Sequence, residues 1–441
     1  MKIRSLIVAA FVLLALVGTL YWSGHRKPAG AAAQASAGAP PAILKLDEAA
    51  ITKLELKKKD AEPIVLAKSN PGAWQITQPK QFGADQSVVS SALSTLSSLN
   101  AERLVEDKAS DLKQYGFEHP AVEVDITEKD NKTQRLLLGD ETPAGSAVYA
   151  MLAGDPRVFT MTSYSKTSID KSLNDLRDKR LLTVSPDKIS RLELVRKNQT
   201  IEFGRNKDEW QILKPKPLRA DNSEVGELAR KLSDARMDLS GSDKELKEVA
   251  SLFARASPVA TAKVTYQSGT QELEIRKSKD TYYAKSSAVE GANKVDADLG
   301  QALGKGLDDF RNKKLFDFGF NDPSKIEMHN GSKAYFLVKG GQDWWSNGKK
   351  MDASSVQSYV SNLRDLTASK FIESGFATPL IEVTVTSDDG KRVEKVSFAK
   401  SGSSYIARRE NEPTLYQLDS SSVDALEKAA DDLKPAATSG K

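Results

Sequence analysis

Residues 43–436 show one pattern of apolar and polar positions three times. Each occurrence begins with a run of residues typical of a strand, which a tryptophan follows. The same succession of predicted helices and strands comes after each tryptophan. The opening runs lie at residues 51–56, 189–194 and 326–328, and the tryptophans are Trp74, Trp210 and Trp344. Because 136 residues separate the first two tryptophans and 134 the last two, the spacing is typical of an internal repeat. The sequence predicts three copies of one module.

An amphipathic helix is predicted after each tryptophan. An aspartate precedes each helix, where its carboxylate can accept hydrogen bonds from the free N–H groups of the first turn. The three aspartates are Asp85, Asp221 and Asp352. Apolar residues then recur with the spacing of one helix face. In the three copies they are Val89, Ala92, Leu93, Leu96 and Leu99; Val225, Leu228, Ala229, Leu232 and Ala235; and Val356, Tyr359, Val360, Leu363 and Leu366.

A β-hairpin, a further strand and a closing helix complete each module. The hairpins begin at residues 121, 261 and 381, where alternating strands flank turns rich in Asp, Asn and Gly. Apolar residues of the closing helices are Ile169, Leu173 and Leu176; Leu299, Leu303 and Leu307; and Val423, Leu426, Ala430 and Leu433. Because short turns join the strands, the predicted class is α+β. We expect three tandem repeats, each of mainly antiparallel strands plus two helices, after an N-terminal transmembrane helix.

The N-terminus has the pattern of a membrane segment. Residues 5–22 carry no charge, and at about 1.5 Å per residue they span ~27 Å, close to the roughly 30 Å core of a bilayer. A cleaved signal peptide and an uncleaved signal anchor both fit this pattern. Small residues suited to cleavage, Ala35-Ser36-Ala37, lie thirteen residues beyond the apolar run, so the anchor is favoured. The predicted location is the bacterial inner membrane, single-pass, with the body in the periplasm or otherwise outside the cytoplasmic membrane.

These patterns divide the chain into six predicted segments. Residues 1–24 form a cytoplasmic stub and the signal anchor, and 25–42 form an Ala/Pro/Gly tether with nothing to pack. The three α+β repeats then follow at 43–184, 185–317 and 318–436. Residues 437–441 are a tail.

The N-terminal segment also accounts for the basic character of the chain. The chain carries 64 basic and 60 acidic side chains, but residues 1–27 hold four of the basic ones and no acid, so the remainder is neutral. A neutral body argues against nucleic-acid binding. The chain contains no cysteine, which excludes thiol catalysis, thiolate metal sites and disulfides.

Motifs for catalysis, cofactors or metals are not found in the sequence, and none of these functions is expected. His119 and His329 each lie beside turn-forming residues and are predicted to be solvated loop residues. Asp296 and Asp298 resemble the start of a calcium loop, but Leu307 stands where that loop needs its bidentate acid. A helix N-terminus is the better interpretation of this segment.

Trp344 and Trp345 are the predicted contact with a partner. Large aromatic residues in strands usually pack in a core, which is the expectation for the tryptophan shared by all three copies. Adjacent strand residues face opposite sides of a sheet, so one member of the Trp344–Trp345 pair is expected to be exposed.

The chain resembles the bacterial family called domain of unknown function 4340. The resemblance rests on the Trp-x-Ile-x-x-Pro strand, the Asp-capped helix, the element Tyr115-Gly116-Phe117 with Pro120, and Leu138-Gly139. It covers residues 43–320 well and the third copy more loosely. The family has no established activity, and its members are often encoded near ABC-transporter and gliding-motility-type permease components. The resemblance therefore implies an envelope accessory protein.

Three hypotheses follow for the function. The leading one is a non-catalytic, membrane-anchored scaffold or accessory subunit that binds other envelope proteins, in an ABC-transporter or gliding-motility-type complex. The alternative is a periplasmic lipid- or glycan-binding module that uses a groove across the repeats. An enzyme is the least favoured, and it would need a polar pocket with a carboxylate pair in one copy.

Overall fold

The computed structural model describes residues 41–69, 72–319 and 323–437. Over these residues the chain forms three antiparallel sheets and eight α-helices, so the class is α+β with strands dominant. The chain divides into two compact units, Met1–Asp178 and Lys179–Lys441. The predicted transmembrane segment lies outside the described residues, and none of the helices within them is long and apolar enough to cross a membrane.

The first sheet lies in the first unit and has nine strands in the order β4-β3-β2-β1-β6-β7-β8-β9-β5. The strands are β1 Ile51–Lys58, β2 Ile64–Lys68, β3 Trp74–Gln78, β4 Phe82–Gly83, β5 Arg103–Glu106, β6 Val122–Glu128, β7 Thr133–Glu141, β8 Ala147–Leu152 and β9 Val158–Thr162. The helices of this unit are α1 Gln86–Ser97, α2 Ser163–Ile169 and α3 Leu173–Leu176.

The second sheet opens the second unit and has the order β13-β12-β11-β10-β14-β15-β16-β17. Its strands are β10 Ile189–Val195, β11 Thr200–Asn206, β12 Glu209–Lys214, β13 Leu218–Arg219, β14 Ser257–Tyr266, β15 Gly269–Ser278, β16 Thr281–Ser286 and β17 Ala292–Val295. The helices are α4 Asn222–Ser233, α5 Asp243–Arg255 and α6 Ala297–Gly304.

The third sheet completes the second unit, in the order β21-β20-β19-β18-β23-β24-β25-β26-β22. Its strands are β18 Lys325–Asn330, β19 Lys333–Gly340, β20 Asp343–Ser346, β21 Lys349–Lys350, β22 Lys370–Ile372, β23 Ile381–Ser387, β24 Arg392–Ser401, β25 Ser404–Arg409 and β26 Leu415–Asp419. The helices are α7 Ala353–Asp365 and α8 Ser420–Asp431.

Eight strands follow the same spatial order in all three sheets, as the internal repeat predicts. The first and third sheets add an edge strand, β5 or β22, beside the last strand of the module. In the second sheet an isolated β-bridge between Asp238 and Lys294 of β17 takes the place of this edge strand.

The helix starts predicted from aspartate are confirmed. Oδ1 of Asp85 accepts hydrogen bonds from the backbone N–H groups of Ser87 and Val88, at 3.0 and 3.2 Å. Asp221 caps α4 with the same two contacts, and Asp352 caps α7 by accepting the backbone N–H of Ser355. Every residue of the three predicted apolar stripes is buried. Since those stripes pack on one face of each sheet, each module has its own hydrophobic core.

The prediction of two helices in each repeat is wrong for the first two copies. In the first, the closing helix is divided into α2 and α3, because Ser172 and Asp175 form a capping box that starts a new helix. In the second copy α5 is an additional helix, started by a capping box between Ser242 and Glu245. Its Val249 and Phe253 pack with Tyr283, while the neighbouring Tyr282 faces the main core. Helix α5 therefore covers the opposite face of the sheet.

Candidate functional site

The repeated tryptophan has a structural role, as predicted. Trp74 and Trp210 are buried in the first and second cores, and Trp344 packs against the third. Trp345, the next residue on β20, is 40% exposed. The two adjacent indoles thus face opposite sides of the strand, and only Trp345 offers a large exposed surface. Its role as a partner contact stays a prediction.

Trp345 belongs to a larger exposed surface on the third sheet, which we call the apolar strip. The strip consists of Phe336, Val338, Trp345 and Val393, whose exposed fractions run from 38 to 61%. The backbone register places Val338 directly opposite Trp345. Nε1 of the Trp345 indole lies 3.1 Å from where a Cβ would stand on Gly340, so the absence of a side chain there makes room for the ring.

The apolar strip is a feature of the third copy alone, as the strand registers demonstrate. Across the third sheet the register aligns Trp345, Val338, Lys325, Thr386 and Val393 in one row. The same row in the first sheet is Gln75, Ala67, Lys53, Thr127 and Thr133. In the second sheet it is Gln211, Gly204, Arg191, Thr265 and Thr270. The third copy therefore replaces glutamine, a small residue and threonine with tryptophan and two valines.

The row that contains Val393 in the third sheet carries a pair of hydrogen-bonded threonines in each of the other two sheets. Hydroxyl groups of Thr127 and Thr133 are hydrogen-bonded at 3.0 Å in the first sheet. Thr265 and Thr270 make the same contact at 3.1 Å in the second. Val393 has no hydroxyl, so this polar link is lost in the third sheet and an apolar side chain faces solvent instead.

Charges beside the strip are paired. Lys325 forms an ion pair with Glu327 on the same strand, and Nζ of Lys395 lies 3.5 Å from Oε1 of Glu382. His329 lies in β18 rather than in the predicted loop, although it is solvent-exposed as expected. Its ring contacts Phe336 edge to face, with 5.6 Å between centroids. The strand continues through His329 because its backbone pairs with both β19 and β23.

A second cluster of functional interest joins the second and third sheets, and we call it the junction network. It contains Arg219, Asp317, Glu394, Arg409, Glu412 and Tyr416. Arg219 ends β13, and its guanidinium donates to Oδ2 of Asp317 at 2.5 Å and to the Tyr416 hydroxyl at 3.0 Å. Its Nε lies 3.0 Å from Oε1 of Glu412. One arginine of the second module thus reaches two groups of the third module, Glu412 and Tyr416, and one of its lead-in segment, Asp317.

Arg409 occupies the other half of the junction network. Its Nη2 donates to Glu394 at 3.0 Å and its Nε donates to Glu412 at 2.8 Å. Glu394 is buried, and its carboxylate also accepts the backbone N–H of Asp317 at 3.0 Å. Each buried charge of this network therefore has an opposite charge or a hydrogen-bond donor in contact.

Protonation equilibria in the junction network reflect its burial. Burial alone would lower the pKa of Arg219, but Asp317, Tyr416 and Glu412 outweigh it and raise that pKa above its usual range. Burial, with the Glu412 carboxylate nearby, raises the pKa of the Tyr416 hydroxyl to about 12. Neither Arg219 nor Tyr416 therefore changes protonation near neutral pH.

The motif residues of the first copy pack on one another. A Cβ on Gly139 would overlap the backbone carbonyl oxygen of Tyr115 and lie 3.0 Å from the Phe117 ring. Gly116 has a positive φ of 78°, and a Cβ there would lie 2.8 Å from the backbone nitrogen of Asp140. Phe117 belongs to a small apolar cluster on the sheet face opposite the main core. These elements therefore hold a loop against the sheet, which is a structural role.

A cavity lined by three carboxylates lies between α4 and α6. Its volume is about 390 Å³, and Glu224, Glu227 and Asp298 line it. Lys305 donates to Glu224 at 2.5 Å, while Lys231 lies 3.8 Å from both Glu227 and Asp298. Hydrogen bonding from Arg230 lowers the pKa of Glu227. Glu227 is therefore stabilised in the ionised form, which does not suit a proton donor at neutral pH.

Metal ligands are also not assembled in the part of the chain that the structure describes, where no group of three or more His, Asp or Glu side chains could hold a metal ion. Asp296 instead caps α6, accepting a hydrogen bond from the Asp298 backbone at 2.7 Å. The interpretation of this segment as a helix N-terminus is confirmed.

Comparisons with known proteins identify a family but no activity. A family model described as domain of unknown function DUF4340 matches residues 74–238 and again 210–380. No curated protein matches the chain. Among solved structures, the DNA polymerase III subunit beta from Pseudomonas aeruginosa matches with 7% sequence identity. That match covers 86% of this chain and 94% of the other, and its TM-score of 0.13 is too low to support any argument about fold or function.

Proposed function

The chain belongs to the DUF4340 family of domains of unknown function, and from this premise we propose that it is a non-catalytic scaffold or accessory subunit of the bacterial cell envelope. In this proposal residues 5–22 anchor it in the cytoplasmic membrane and the repeats bind other envelope proteins. An ABC-transporter or gliding-motility-type complex is the proposed setting.

The junction network is the observation that carries this proposal. Arg219 makes four polar contacts with the third module and its lead-in segment, including the backbone oxygen of Lys314 at 2.6 Å. Groups held by several partners at once resist relative movement, because every contact must break together. The second and third modules therefore form one stiff arm. A stiff arm suits a protein that holds partners at fixed positions.

The cores support a scaffold more than the alternative of a lipid- or glycan-binding groove. Each of the three main apolar clusters is built on the sheet of one module. The second and third clusters also take in residues of the segment that leads into the module: Leu181, Leu182 and Val184, or Leu315 and Phe316. A groove across the repeats would need apolar residues of neighbouring modules to line a shared cavity. The paired carboxylates between α4 and α6 give no comparable support to an enzyme.

In-cell crosslinking of a C-terminally tagged full-length chain tests the proposal. The chain is purified from membranes and its partners are identified by mass spectrometry. We expect transporter permease or motility-type subunits in stoichiometric amounts. Recovery of the chain alone would contradict the scaffold, and bound lipid or glycan in that preparation would favour the alternative.

A matched pair of variants makes this experiment specific. Arg219→Met removes the centre of the junction network, and we expect it to reduce partner recovery several-fold. Arg230→Met removes an exposed arginine that pairs only within α4, with Glu227 at 2.7 Å, and should leave recovery unchanged. Equal recovery with both variants would show that the stiff arm is not needed.

A further inference from the structure

The outer face of the third sheet carries two adjacent rows of side chains. The first row is Trp345, Val338, Lys325, Thr386 and Val393. The second, two residues along the strands, is Phe336, Glu327, Thr384 and Lys395. Residues between these rows, such as Ile326 and Leu337, face the core. Both rows are apolar at the β19–β20 end and polar or charged on β18 and β23, while on β24 the first row ends in Val393 and the second in Lys395.

We propose that this face binds the same face of a second copy of the chain. The proposal is independent of which envelope protein the scaffold holds. Two sheets that pack face to face keep their strands roughly aligned, about 10 Å apart. A two-fold axis that runs across the strands, between the two rows, would place row one of each copy over row two of the other.

This symmetry makes the face complementary to itself. Val338 of each copy lies over Phe336 of the other, so apolar surface meets apolar surface. Lys325 lies over Glu327 of the other copy, and this contact occurs twice. Thr386 lies over Thr384. No like charges oppose one another at these positions. A symmetric interface requires this, because both copies contribute the same surface to it.

Charge favours a second copy over a strongly acidic or basic partner. Lys325 with Glu327, and Lys395 with Glu382, leave these two ion pairs neutral. A neutral patch does not steer a charged ligand. Phe336, Val338 and Trp345, at 38 to 48% exposure, give the association its hydrophobic component, whereas the symmetry places Val393 over Lys395 of the other copy.

The ends of the sheet favour face packing over strand addition. Edge strand β21 has only two residues, Lys349 and Lys350, and edge strand β22 has three. Short edge strands, and edge lysines in particular, discourage pairing with a further strand. Phe336, Val338 and Trp345 lie on β19 and β20, inside edge strand β21, so their exposed side chains are on the face of the sheet and not at its edge.

Charge reversal tests directly whether a second copy of the chain binds this face. Two full-length copies with different tags are expressed together, solubilised in detergent and purified on one tag, and the second tag is quantified. Lys325→Glu alone, or Glu327→Lys alone, puts like charges opposite each other and should weaken co-purification about tenfold. When one copy carries Lys325→Glu and the other Glu327→Lys, every pair is again opposite in charge. Co-purification should then return to the wild-type level.

A second set of variants tests the apolar strip. Trp345→Gln, Val338→Ala and Val393→Thr together give the third copy the residues that the first copy has in the same row, so the sheet should still fold. We expect association to fall at least as far as with one charge reversal. Leu213→Gln and Tyr164→Gln, at exposed apolar residues elsewhere in the chain, are the controls and should leave association unchanged. Circular dichroism of each variant checks its fold.

Two results would overturn the proposal. Wild-type copies that do not co-purify exclude self-association, whatever other envelope proteins are recovered. If wild-type copies associate but the mixed charge variants stay as weak as either single variant, the copies use another surface. Failure of the scaffold proposal would instead appear as a self-associating chain that recovers no other envelope protein.

Discussion

Nη1 of Arg219 lies 2.5 Å from Oδ2 of Asp317, which joins edge strand β13 of one module to the segment that enters the next. Gly83 and Thr183 stand at the corresponding positions of the first copy, where this charge pair cannot form. The junction network is thus a specialised feature of the second unit.

Arg219→Met should lower the free energy of unfolding of the second unit by about 2 kcal/mol, because it removes one of the two cations, Arg219 and Arg409, that Asp317 and Glu412 share in a partly buried place. Urea denaturation of the full chain measures this loss. Arg230→Met removes a surface arginine of an ion pair and should cost less than about 0.5 kcal/mol. Similar losses for the two variants would mean that the junction network adds no stability.

Local rules predicted much of the fold. Asp85, Asp221 and Asp352 mark helix starts because their side chains bond to backbone groups two or three residues on. Helix α5 has no counterpart in the other two copies, so the repeat does not predict it, although Ser242 and Glu245 form a capping box at its start. Strands β5 and β22 were missed because short edge strands depend on a neighbour for their pairing.

Contacts between distant residues could not be predicted in the same way. The Arg219–Tyr416 hydrogen bond joins residues 197 apart in the chain, and nothing in either local sequence indicates it. The exposed Trp345 followed from strand alternation. Val338 and Val393 were not connected with it, because the row they share appears only once strand pairing and register are known.

Gly139→Ala should destabilise the first module by about 3 kcal/mol. The new methyl group would overlap the Tyr115 carbonyl oxygen, and backbone cannot move aside without opening the loop. Gly226→Ala in α4 has no such overlap, since the nearest atom is the end of the flexible Arg230 side chain at 3.8 Å. This control should stabilise the chain by up to about 1 kcal/mol, because alanine favours helix. Thermal unfolding distinguishes the opposite signs.

Trp344→Ala and Trp345→Gln should have unequal effects on stability. Trp344 packs against the third core, so its truncation should lower the free energy of unfolding by about 3 kcal/mol. Trp345 lies on the outer face, and glutamine is the residue that both other copies have there, so its replacement should change stability by less than about 0.5 kcal/mol. Urea denaturation at low protein concentration, where self-association is weak, measures both. Equal losses would contradict the assignment of the two faces.

Asp238 should make the second module sensitive to acid. Hydrogen bonds from Lys294, at 2.8 Å, and from Ser240 lower the pKa of Asp238 to about 2. An unfolded aspartate has a pKa of about 3.9, so the ionised form is favoured in the folded state and the stabilisation is present above pH ~4. It should be lost as the pH falls from about 4 towards 2.

Asp238→Asn should therefore cost about 1 kcal/mol at pH 7, a value reduced for the partial exposure of the pair, and nothing near pH 2. Urea midpoints of the wild-type chain and the variant, measured between pH 7 and pH 2.5, give this difference. Lys294→Met should reduce the loss of stability between about pH 4 and pH 2.5, because it removes the hydrogen bond that contributes most to the lowered pKa of Asp238. A difference between wild type and Asp238→Asn that stays constant over this range would show that the carboxylate contributes no charge-dependent stability.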